Sequence, residues 1–133
     1  MNTAFKKYHN PQLRLLIKNN NDQWEKLIPG VTFLTERWVD DTHGLWTTQY
    51  VHMNKQFLKR TSIKQFGYKD EFYEVGEIKI RNAQKYLKWL ENIDYSSLHS
   101  TSKSYLTRTK YIIKRYIEEY KEWGKDNIKL IFY

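Results

Sequence analysis

Residues 55–69 (KQFLKRTSIKQFGYK) carry five cations and no acid, with Phe57, Phe66 and Tyr68 set among them. Phosphate is held by cations, while bases and apolar partner surfaces lie against flat aromatic faces. If Lys55, Lys59, Arg60, Lys64 and Lys69 all met phosphates, log affinity would fall with log salt with a slope of about −3.5 to −4.5. Gln56, Thr61, Ser62 and Gln65 add uncharged donors suited to sugar or base edges. The segment is therefore expected to contact nucleic acid through Lys55, Phe57, Lys59, Arg60, Lys64, Tyr68 and Lys69. The competing account is a solvated loop whose aromatics turn into the core.

A second set of cations lies toward the C-terminus. Lys110, Lys114 and Lys121 form a stripe beside an apolar helical face, and Arg108 and Arg115 extend it. These would enlarge a phosphate-binding surface. Long basic stems beside a buried stripe also occur simply as snorkelling neighbours.

Other chemistry is thinly represented. Asp40, Asp41 and His43 share one loop, too close in sequence to close a metal site alone, and turn chemistry accounts for all three. No phosphate-cradling glycine loop, nucleophile elbow or cofactor motif is present. A metal-independent ribonuclease needs only acid, base and charge-stabilising groups, for which His52 and Tyr50, near Lys55, are the candidates. A helix-turn-helix centred on Gly67 fits poorly, because Ile63 crowds the helix crossing and Gly76 weakens the second helix.

The composition narrows the classes. At 133 residues the chain is expected to be one domain, long enough to bury a core without staples. Eleven Tyr, six Phe and five Trp supply core material, so disorder does not describe the whole chain. The absence of Cys removes disulfides, thiolate metal sites and thiol nucleophiles together. The N-terminal residues lack the apolar stretch of a signal peptide, and no apolar run approaches a membrane span, so a cytoplasmic protein is expected.

The formal charge of +8 is uneven. Residues 1–53 hold six Lys and Arg against five acids, 54–85 eight against four, and 86–133 nine against six. The excess begins after the first third, which favours a basic face over a uniformly basic surface. Abundant Lys, Asn, Ile, Tyr and Phe with little Ala, Gly or Pro is the composition of AT-rich genes, frequent on phages and mobile elements.

These residues must be positioned by a small set of elements. Asn10 and Pro11 before Leu13, Leu15, Leu16 and Ile17 suggest a capped helix, with a buried strand as the alternative. Asn19, Asn20 and Asn21 break that element, and Asp22 would cap a short turn before Pro29 and Gly30. Residues 31–53 read as a hairpin around loop 40–44, with Trp38 facing Trp46, Leu34 facing Tyr50 and Phe33 facing Val51. Asn54 would cap a helix ending at Phe66, and a strand near 72–80 follows, interrupted by Gly76. Asn82 would cap the next helix, which ends near Ile93. A longer helix from 102 to 123 stops at Gly124, and residues 127–133 form a final strand with Ile128, Leu130 and Phe132 on one face. The expected fold is α+β: a small mixed or antiparallel sheet packed against two or three helices.

The leading expectation is a nucleic-acid-binding accessory factor, acting by electrostatic capture with aromatic stacking. The alternative is an inhibitor or adaptor that docks on an acidic host protein, for which an exposed Trp38 or Trp46 would speak. The ribonuclease stands third.

Overall fold

The computed structural model describes residues 12–32, 52–54, 56 and 76–132. Strand β1 (Gln12–Lys18) buries every second residue. Leu13, Leu15 and Ile17 are buried, while Gln12, Arg14, Leu16 and Lys18 lie half-buried on the other face. Of the two readings of this segment, the buried strand is the one that forms, and the capped helix does not. Its apolar set repeats every two residues, and only Leu16 departs from the alternation, so the period outweighs the cap signal of Asn10 and Pro11.

Residues 19–23 turn the chain back. The Asn19 side-chain oxygen accepts from the backbone N–H of Asn21 at 2.9 Å and of Gln23 at 3.0 Å. Asp22 adopts a φ of 63°, a conformation its short polar side chain tolerates. Asp22 thus lies within a hairpin turn, and Trp24 follows in a strand instead of in a turn capped by Asp22. Strand β2 (Trp24–Lys26) follows, antiparallel to β1, pairing Lys18 with Trp24 and Leu16 with Lys26.

After a break at residues 27–30, β3 (Val31–Thr32) pairs with the start of β1, joining Leu13 to Val31. Gly30 sits at that break. A Cβ there would stand 2.8 Å from the Leu13 carbonyl oxygen, closer than real side chains come. This crossing requires glycine for its lack of a side chain.

Residues 33–51, and with them the expected cross-strand pairs of the hairpin, lie outside the described residues. His52, Met53 and Asn54 are helical, so the second hairpin strand does not reach Met53 and Asn54 does not start the helix. Asn54 is fully buried, and the Met53 carbonyl accepts from the Tyr86 hydroxyl at 3.4 Å. Tertiary contact, invisible to a propensity reading, holds this turn.

Strand β4 (Gly76–Ile78) is the described part of the strand expected near 72–80, with Gly76 paired to Phe132; residues 72–75 lie outside the described residues. Helix α1 (Ile80–Glu91) starts two residues before the expected cap at Asn82, and Lys79 at its N-cap makes no side-chain cap bond. Ile80 packs against the core and draws the first turn forward. A 3₁₀ turn (Tyr95–Ser97), closed by Asp94 accepting from Ser96 N–H at 3.0 Å, leads to helix α2 (Ser100–Trp123). The ring nitrogen Nδ1 of His99 caps α2 by accepting from Thr101 N–H at 3.1 Å. Gly124, at a φ of 79°, ends it as expected.

Strand β5 (Ile128–Phe132) returns between β1 and β4. The sheet runs β2, β1, β5, β4, with β3 beside β2 along β1, and every pairing is antiparallel. Its inner face presents Leu13, Leu15, Ile17, Ile78, Ile128 and Leu130. Against it pack Leu106, Ile112, Ile113 and Tyr116 of α2, with Ala83, Tyr86 and Leu90 of α1 completing the core. This is the expected α+β architecture, with the longest helix near the C-terminus. Among the described residues no helix is long and apolar enough to cross a membrane.

Candidate nucleic-acid interface

Lys55, Phe57, Lys59, Arg60, Lys64, Tyr68 and Lys69 lie outside the described residues, as do Trp38, Trp46 and Tyr50. The cations of α2 are described, and the structure divides them. One residue in a helix turns the chain by about 100°, so Lys103, Lys110, Lys114 and Lys121 share one row and Arg108 and Arg115 another. Lys114 is exposed. Lys110 is half-buried, with Nζ 5.3 Å from the Tyr95 ring centre. Arg108 is exposed and reaches the Gly30 carbonyl at 3.4 Å, a long contact.

Arg115 is the most engaged of the four. It donates to the Tyr111 hydroxyl at 3.1 Å and pairs with Glu119 at 3.4 Å. The Tyr111 hydroxyl, and after it Glu119, raise the guanidinium pKa further, opposed by partial burial. Tyr111 itself, between the two rows, is 54% exposed. An aromatic ring thus stands in the outward arc of α2 with cations on both sides. Reading the helix for its apolar face passes over it, although its position opposite Ile112, Ile113 and Tyr116 is implicit in the same wheel.

Helix α1 carries a simpler pattern. Arg81, Lys85 and Lys88 are spaced four and three residues apart, so they line one exposed arc opposite Ala83, Tyr86 and Leu90. The only acid of α1 is Glu91, in its last turn, and no ion pair involves the three cations among the described residues. This stripe was legible in the sequence through its spacing alone.

The outer face of the sheet holds a third cluster, assembled from distant parts of the chain. Antiparallel pairing puts partners on the same side, so Lys18 and Trp24 project together, as do Lys26, Leu16 and Lys129. The indole of Trp24 is 37% exposed. Lys129 Nζ, reaching across β1 from β5, stands 4.2 Å from its ring centre, and Lys18 Nζ stands 5.4 Å away. Lys18 also contacts the Asp22 carboxylate at 3.5 Å, and Asp22 is 84% exposed. Because α2 packs on the inner face, its outward rows and the Trp24 cluster look to opposite sides of the sheet. Comparison with protein-family models, with curated proteins and with solved structures returns no match, so the functional reading rests on this geometry.

Proposed function

We propose that the protein binds nucleic acid, capturing the phosphate backbone with rows of surface cations. The observation that carries this reading is the α1 stripe, where Arg81, Lys85 and Lys88 share one arc without a carboxylate partner among the described residues. Cations in an ion pair gain little from phosphate, since the first partner must be given up. Cations without one release counterions from the nucleic acid at full effect. Lys103, Lys114 and Lys121 of α2, without an ion pair among the described residues, extend the same chemistry, and Arg108 adds a guanidinium at its edge. The charge of +8 steers a polyanion from a distance, on top of these local contacts.

The test is a salt series of binding by fluorescence anisotropy, comparing wild type with Arg81→Gln/Lys85→Gln/Lys88→Gln. The expected result is a log–log slope flatter by roughly 2 to 3, since each lost phosphate contact removes about 0.7 to 0.9. An unchanged slope would reject the stripe as a binding surface. A second reading, docking on an acidic protein, is favoured by Tyr111, because an exposed aromatic among cations is the composition of interface anchors. It predicts no nucleic-acid binding at all, together with loss of a protein partner on Tyr111→Ala.

A further inference from the structure

We infer that Trp24, with Lys18, Lys26 and Lys129 around it, is a base-stacking subsite that makes the protein prefer single-stranded over duplex nucleic acid. The inference rests on the nucleic-acid reading above and sharpens it to a strand class. It stands on an independent observation, the outer-face cluster, which belongs to neither helix.

The cluster has the two parts that such a subsite needs. One is a flat ring held in place: Trp24 lies on β2 opposite Lys18, on a strand paired along its whole length with β1. The other is charge beside the ring, supplied by ammonium groups 4.2 and 5.4 Å from its centre and by the exposed Lys26 two residues along β2. Leu16, half-buried between Lys26 and Lys129, supplies an apolar floor in the same row. A stacked base would lie on the indole while its flanking phosphates meet the lysines.

Two competitors already occupy the site, and both are the weaker. The ammonium groups sit against the ring, yet a cation–π contact on an exposed surface is worth less than stacking a base. Their long flexible stems let them swing from the ring to a phosphate, keeping charge contact while freeing the indole. Asp22 holds Lys18 at 3.5 Å, but an ion pair this exposed contributes little and its carboxylate is free to turn into water. A duplex offers the lysines its phosphates and hides its base faces inside its own stack. The ring therefore discriminates between strand classes where the cations do not.

The experiment measures anisotropy of the full chain with a labelled oligothymidylate and with a labelled duplex of equal length, at fixed salt. Wild type is compared with Trp24→Ala, Trp24→Phe and Lys18→Gln/Lys129→Gln, each checked for unchanged circular dichroism. Trp24→Ala is expected to weaken oligothymidylate binding roughly 5- to 100-fold while leaving duplex binding and the salt slope as they were. Trp24→Phe should restore most of the loss, and the double lysine variant should flatten the slope for both ligands. Equal losses on both ligands, or none on either, would overturn the subsite while leaving phosphate capture standing. Wild type that binds neither ligand would overturn the nucleic-acid reading itself, and the subsite with it.

Discussion

The two faces of β1 alternate residue by residue and do opposite work. Leu13, Leu15 and Ile17 point inward and are covered by the helices, whereas Leu16 and Lys18 point outward beside Lys26, Lys129 and Trp24. One strand thus holds the fold with its inward side chains and contributes Leu16 and Lys18 to the Trp24 cluster on the other face. A residue on the inner face is constrained by shape and its loss leaves a cavity. The outer-face residues of the Trp24 cluster are only half-buried or exposed, so under the proposed function their substitution should register more in binding than in stability.

The most damaging change should be Leu15→Ala. Leu15 is fully buried and pairs with Leu130, so the truncation should cost about 2–5 kcal/mol in urea unfolding. Leu16→Ala, one residue along and half-buried, should cost clearly less; equal costs would erase the distinction between the faces. Gly30→Ala comes next, at about 1–3 kcal/mol, because its new methyl group meets the Leu13 carbonyl oxygen and must push β3 from β1.

The smallest effect is a matter of pH. Burial first, then Tyr120 and Glu77, push the Tyr116 hydroxyl up to about 12. The folded chain therefore keeps a proton that the unfolded chain gives up near pH 10, so stability present below pH 10 should be lost as pH rises toward 12. Tyr116→Phe should flatten that decline in thermal unfolding. An identical decline in the variant would show that Tyr116 is not shielded between α2 and the rest of the core.

How much of this was legible in the sequence follows from the range of the interactions. Helix α2 was readable because its apolar face and Gly124 stop are local, and Ile128 and Leu130 announced β5 by simple alternation. The stripe on α1 was equally local, being a matter of spacing. Strand β1 stayed open between helix and strand because Asn10 and Pro11 mimic a helix start while Leu15, Leu16 and Ile17 form a run that hides the alternation. The Trp24 cluster could not be read at all from sequence, since it joins residues 18, 24 and 129 through two strand pairings. Of the expected α2 ligands, Arg115 is tied to Tyr111 and Glu119, each four residues away on the helix, so that competition was implicit in the spacing.

The central claim is that the outward cations serve a polyanion. It is tested most directly by wild-type binding to single-stranded DNA, duplex DNA and RNA across a salt series. Sub-micromolar binding with a log–log slope of roughly −3 or steeper is the predicted result. Binding that is absent, or no tighter than roughly 100 micromolar at physiological salt, would contradict it, because even non-specific capture normally reaches that level.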